Sequence, residues 1–246
     1  MLALVVAIVC RAAAFAQPEA TWDLGAQMSF THNPNGVWAY GYSATPSLHP
    51  DAFRPCGTSD VHDAIGFWHP TGLEAGDAGY YPYVAANSSG RARVDPTARW
   101  ALRPHEVAME ASNDGRYALV RFVAPVAATY RLKARFAGVH FRLSSTDVHV
   151  LRGATSLFDA DIEGYGGDPA FHGVTSRQAT AVYSTRLALG AGEVLTFAVG
   201  YGRNRTHFND TTGLVVRVRT AGTGAPRAGS HRPVTNPDSA LRSICG

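Results

Sequence analysis

The sequence predicts an all-β fold, a jelly-roll-like β-sandwich of two antiparallel sheets. Three observations carry that expectation. Short segments alternate apolar and polar side chains with a period of two. Turn signals separate them, such as Ala124-Pro125, Arg152-Gly153 and Gly190-Ala191-Gly192. The second half of the chain has no long helical period. A sheet with one apolar face must bury that face, and a second sheet packed on it is the expected solution.

In chain order, strand-like pieces begin with Thr21–Phe30 (TWDLGAQMSF), Val37–Tyr42 (VWAYGY) and Ala64–Trp68 (AIGFW), joined by long loops rich in Pro, Gly, His and aromatics. Tyr117–Val123 (YALVRFV) follows. Tyr130–Phe136 (YRLKARF) is the clearest, with Tyr130, Leu132, Ala134 and Phe136 on one face and Arg131, Lys133 and Arg135 on the other. Thr146–Val150 (TDVHV) turns Val148 and Val150 one way and Asp147 and His149 the other. Ala179–Leu189 (ATAVYSTRLAL) also reads as a strand. Glu193–Val199 (EVLTFAV) groups Leu195, Phe197 and Val199, and Gly213–Arg219 (GLVVRVR) groups Leu214, Val216 and Val218 against Arg217 and Arg219. The early strands complete the same sandwich, giving one domain over residues 17–220.

The ends read differently. The short apolar run LALVVAIVC, followed by the small-x-small pattern Ala14-Phe15-Ala16, predicts a signal peptide over residues 1–16 and a secreted chain. That run is too short to span a membrane. Residues 221–246 have few large apolar side chains and are expected to form a flexible tail. The 246-residue chain is 46% hydrophobic and 17% charged, as a globular protein is. A net charge of +3 gives no reason to expect a nucleic-acid partner. Removal of the leader with Cys10 leaves Cys56 and Cys245 as a candidate disulfide pair. Asn87, Asn204 and Asn209 each open an N-glycosylation acceptor triplet.

Five phrases together carry a resemblance: NPNGVWAYGY (33–42), YPYVAAN (81–87), VRFVAPVAATYRL (120–132), TDVHVLRGATSLFDADIEGYG (146–166) and LGAGEVLTFAVGYGRNRTHFNDTTGL (189–214). They resemble a group of secreted bacterial β-sandwich domains found in proteins with a PEP-CTERM sorting tag and beside extracellular hydrolases. The resemblance spans most of Phe30 to Val218 and implies a carbohydrate-binding-module-like sandwich. This chain departs from the pattern at Ala128, where Gly is usual, and at His207, where small or polar residues are usual; its tail carries no such tag.

The candidate ligand-binding residues are aromatic or lie on polar faces. Trp38 and Tyr40, with Tyr42, share one strand face, and with Trp68 they offer rings that stack on sugars; a buried aromatic row is the alternative. His149 beside Asp147 suits acid/base or metal work, although residues two apart on a strand need not touch. Arg205, His207 and Phe208 crowd the loop between the last two strands, where turn chemistry does not explain them. Asp161 and Glu163, with Asn209 and Asp210, are candidate ligands of a structural calcium ion, without EF-hand spacing. The stripe Arg131, Lys133 and Arg135 would dock an anionic polysaccharide if it pairs with Arg217 and Arg219, yet charges on a wet strand face are also ordinary.

Nucleophile-elbow, zinc-protease, phosphate-loop and dinucleotide motifs are absent from the sequence. The leading expectation is a secreted non-catalytic module that binds an extracellular glycan or similar polymer. The alternatives are a β-sandwich lyase or hydrolase, built from distant strands around His149, His207 or a carboxylate, and an extracellular structural protein. The sequence leaves the ligand and the oligomeric state open.

Overall fold

The alternation read from the sequence becomes a two-layer structure. A computed structural model describes residues 19–72, 82–95, 97 and 99–221. The predicted leader and tail lie outside the described residues, apart from Ala221. Glu19–Ala221 forms one compact body.

The strands in chain order are β1 (Thr21–Asp23), β2 (Trp38–Ser43), β3 (Phe53–Pro55), β4 (Thr58–His62), β5 (Ile65–His69), β6 (Tyr83–Asn87), β7 (Arg93–Val94) and β8 (Ala101–Leu102). Then come β9 (Val107–Glu110), β10 (Ala118–Val123), β11 (Ala128–Gly138), β12 (Ser145–Arg152), β13 (Thr155–Glu163), β14 (Thr180–Leu189), β15 (Val194–Val199) and β16 (Thr212–Thr220). The first sheet runs β14-β11-β16-β9-β6-β5-β4, with β1 also on β16. The second runs β13-β12-β15-β10-β2-β3, and β7 and β8 form a small ribbon. All these pairings are antiparallel. The fold is an all-β, jelly-roll-like sandwich, as predicted.

The core lies between the sheets, where the residues placed inward by period two meet. Tyr130, Leu132, Ala134 and Phe136 of β11 and Leu214, Val216 and Val218 of β16 face Val120 and Phe122 of β10 and Leu195, Phe197 and Val199 of β15. Phe122 is the hub of an aromatic group, with ring centroids 5.6 Å from Trp22, 5.2 Å from Trp38 and 5.9 Å from Tyr130. Such pairs each add about 0.5–1.5 kcal/mol beyond area burial.

Two local departures from the sequence reading have clear causes. Only Thr21–Asp23 of the first predicted strand pairs. At Gly25 a Cβ would stand 1.7 Å from the His105 carbonyl oxygen, so the backbone passes too close for a side chain, and the chain turns with Gln27 N–H donating to the Asp23 carbonyl at 3.1 Å. Conversely, Thr155–Glu163 is a full strand that the alternation did not reveal, because it is an outermost strand with little buried surface and its register shifts between Val150 and Leu151.

Candidate functional site

The outer face of the first sheet carries the strongest concentration of unmatched chemistry. Residues opposite one another on antiparallel strands share a face. On β11, Arg131 is opposite Arg186 of β14 on one side and Arg219 of β16 on the other. One step along, Lys133 is opposite Ser184 and Arg217, and Arg135 is opposite Val182 and Val215. Neighbouring strands lie about 4.8 Å apart, and alternate residues on a strand about 6.8 Å apart. Three adjacent antiparallel strands thus hold a mesh of cations at the spacing of single ionic groups. Apart from Val182, these residues, with Arg103, line a depression of about 1040 Å³.

Only part of this charge is neutralised internally. Arg217 reaches Asp23 Oδ2 through Nη2 at 2.8 Å and Nε at 3.1 Å. The buried carboxylate of Glu106 serves Arg103 at 3.5 Å and Arg135 at 3.9 Å. Burial pushes the Glu106 carboxyl above its ordinary value, against the pull of those two guanidinium groups. Arg135 also donates to the Gly166 carbonyl at 2.8 Å, and Arg103 to the Gly167 carbonyl. Arg131, Lys133, Arg186 and Arg219 have no acidic partner among the described residues. Like charges directly opposite in a ladder are destabilising. An ordinary wet face disperses such charges, and this one aligns them.

The aromatic platform expected from the sequence is not on the surface. Trp38 is 1% exposed, Tyr40 0% and Trp68 5%. β2 lies inside the second sheet, so its period-two ring face is the core face, and Tyr40 stacks on Trp68 across the layers at 6.3 Å. The indoles are satisfied internally, Trp38 Nε1 by Gln27 Oε1 at 2.9 Å and Trp68 Nε1 by the Ser29 carbonyl at 2.6 Å. None of the three can meet a sugar without opening the core.

The loop before β16 divides its candidates. His207 is only 3% exposed, whereas Phe208 is 59% exposed with its ring 4.4 Å from the imidazole, and Arg205 is exposed. His207 therefore packs inward rather than facing a ligand. The loop is set by Gly202, at φ 68°, whose N–H donates to Asp147 Oδ1 at 2.7 Å, and by Asn209, also left-handed at φ 68°.

His149 does touch its neighbour. Its Nε2 bonds Asp147 Oδ2 at 2.7 Å, and its Nδ1 bonds Asp159 Oδ1, across the β12–β13 ladder, at 2.5 Å. Burial opposes the charged ring, but the two carboxylates win and hold its pKa above the ordinary value. With both nitrogens engaged, the ring has no free lone pair for general-base work or metal ligation. The Asp–His–Asp arrangement is a clamp between β12, β13 and the Gly202 turn.

The candidate calcium ligands come from β13 (Asp161, Glu163) and from the loop before β16 (Asn209, Asp210). Among the described residues no group of three or more His, Cys, Asp or Glu side chains is placed to hold a metal. Asp161 is committed to Arg203, and Glu163 projects from the outermost strand. Asp210 is fully buried and accepts from Ser145 N–H at 2.8 Å. Burial, with Glu110 and Asp147 nearby, pushes its pKa up to about 8. Cys56 is a buried free thiol, pushed up to about 12 by burial, and Cys245 lies outside the described residues. Asn87 is buried, and its amide donates to the Arg91 carbonyl at 2.7 Å, so it is no glycan acceptor.

No family model matches the chain, and no curated protein matches it. Several solved structures show a distant similarity to it. A family 51 carbohydrate-binding module of Clostridium perfringens, in complex with methyl-galactose, is 10% identical with a TM-score of 0.34, over 63% of this chain and 99% of that one. A family 35 module of Clostridium thermocellum is 12% identical with a TM-score of 0.27, over 67% of this chain and all of that one (100%). A family 6 module of Cellvibrio mixtus lichenase 5A, in complex with cellotriose, is 11% identical with a TM-score of 0.27, over 47% and 78% of the two chains. Likeness at this level carries no residue and no ligand across. No helix among the described residues is long and apolar enough to cross a membrane.

The sequence had placed Arg131, Lys133, Arg135, Arg217 and Arg219 on wet faces. It missed Arg186 and Arg103. Period two in Thr180–Leu189 would have exposed Arg186, but its adjacency to Arg131 depends on a non-local pairing.

Proposed function

We propose that this is a secreted, non-catalytic module that binds an acidic extracellular glycan on the outer face of its first sheet. The carrying observation is the row Arg186–Arg131–Arg219, three guanidinium groups abreast, at the edge of a depression of about 1040 Å³. Guanidinium forks bond carboxylate and sulfate oxygens in paired, charge-assisted fashion. The open form of the face suits a polymer that lies across it rather than a small molecule that is engulfed. The ladder registers fix the backbone that carries these cations before the ligand arrives. The occupied nitrogens of His149 remove the best acid/base candidate and favour binding over turnover.

The test is affinity electrophoresis and calorimetry with polyuronate, sulfated and neutral polysaccharides, combined with a product assay. Binding to acidic polymers alone, with no product, supports the reading. Equal binding of neutral polymers, or turnover, sinks it.

A further inference from the structure

Besides the three-residue β1, which pairs with β16 alone, the two sheets end in four outermost strands, and three of them are blocked against further pairing. β3 is three residues long and ends in Pro55. β4 is five residues long and carries Asp60. β13 carries Asp159, Asp161 and Glu163 and is interrupted by the register shift against β12. Short length, proline, charge and irregularity are the usual devices that keep an edge from recruiting another strand. β14 is neither short nor irregular and has no proline. It is ten residues long, without Pro or Gly, with Arg186 as its one charge. Its register on β11 is unbroken from Ala128↔Leu189 to Ala137↔Thr180. Among the described residues no backbone hydrogen bond reaches its free edge. Val182, on that edge, is 53% exposed.

We infer that β14 pairs antiparallel with β14 of a second copy of this chain, in a two-fold dimer centred on Thr185. The register follows from the faces. Val182, Ser184, Arg186 and Ala188 lie on the outer face, and Ala181, Tyr183, Thr185, Leu187 and Leu189 lie opposite the core residues of β11. Directly opposed residues must share a face, so the two-fold axis passes through a residue and not between two. An axis at Arg186 would oppose two guanidinium groups. An axis at Ser184 would set Val182 against Arg186 of the second copy. An axis at Thr185 sets Val182 against Ala188, Tyr183 against Leu187, Ala181 against Leu189, and Ser184 against Arg186. Only this last register puts apolar against apolar and polar against polar along the whole strand, the arrangement that cross-strand pairing rewards. It also places Arg186 of each copy beside the seam, so the two basic faces become one surface. A polymer spanning it would gain avidity. That consequence rests on the proposed function; the pairing itself does not.

Sedimentation velocity of the full chain over a dilution series tests the inference. The wild type is expected to shift from dimer to monomer on dilution. Ser184→Glu sets a carboxylate against Arg186 twice per dimer and should tighten the dimer about tenfold, and Ser184→Lys should weaken it by a similar factor. Val182→Lys should also dissociate it. Both sites face solvent in the monomer, and unchanged far-ultraviolet circular dichroism and melting of the diluted monomer confirm that folding is not the cause. A wild type that is monomeric throughout overturns the inference. So does a dimer that Ser184→Glu and Ser184→Lys shift in the same direction or not at all. Dimerisation is read without any glycan, so its failure is distinct from failure of the binding reading.

Discussion

Arg131 stands directly opposite Arg219 on the neighbouring strand, and neither has an acidic partner among the described residues. A sheet that kept only its own stability would not arrange two guanidinium groups in this way. Arg131→Ala should therefore stabilise the folded domain, by about 0.2–1 kcal/mol for the relieved pairs. The gain should shrink as salt rises and screens the repulsion. Chemical denaturation at low and high ionic strength measures it. Loss of stability at low salt would mean that the stem of Arg131 matters more than its charge.

The clamp around His149 sets an acid limb and a neutral limb of stability. The His149 pKa is raised, so its contribution is fully present below about 6.5, the unfolded value, and fades as pH rises through the folded value. Its ring partners Asp147 and Asp159 are depressed, so their contribution is present above about 3.9 and is lost as pH falls through their folded values. His149→Ala should cost most between those limits, on the order of 1–3 kcal/mol. Melting curves of variant and wild type should draw together towards pH 9. A constant difference across the range would show that packing, not charge, is lost.

Asp210 acts in the opposite sense. Its carboxyl is raised from 3.8 to about 8 by burial, so the folded state holds a proton that the unfolded state gives up. Stability should fall as pH rises from about 4 to 8, by at most about 1.4 kcal/mol per pH unit for this one group. Asp210→Asn keeps an oxygen to accept from Ser145 and cannot ionise. The variant should match the wild type near pH 4 and exceed it at pH 8. A wild-type slope that Asn leaves untouched would assign the pH dependence elsewhere, Glu110 at about 7 being the next group.

The buried rings should behave as core. Trp68→Ala or Tyr40→Ala removes a stacked pair between the layers and should cost about 3–5 kcal/mol of stability. A stable Trp68→Ala domain with reduced glycan binding, seen by thermal melting beside affinity electrophoresis, would restore these residues to the surface.

What the sequence made legible was local. Period two identified the faces of β11, β12, β15 and β16 residue by residue, because alternation is written in each strand alone. It could not say whether the face bearing Trp38 and Tyr40 looked to solvent or to the other sheet, since aromatic rows serve both. Nor could it show which cations lie beside the basic stripe. Arg131 and Lys133 are unremarkable on one strand and become an array only when Arg186, Arg217 and Arg219 are brought alongside by pairings 55 to 88 residues apart in sequence. The Asp–His–Asp clamp has the same origin: Asp159 meets His149 through the β12–β13 register, whereas Asp147 alone was visible. His207 was misplaced because a polar residue in a polar loop carries no sign of its burial.

The central claim is that the aligned cations bind an acidic polymer. Isothermal titration of wild type and the Arg131→Ala/Arg219→Ala double variant with a soluble polyuronate, at two ionic strengths, tests it most directly. The wild type should bind more weakly at high salt, and the double variant should lose tenfold or more of the low-salt affinity while its melting temperature holds or rises. Equal affinities for the two proteins, or wild-type affinity indifferent to salt, would contradict the account.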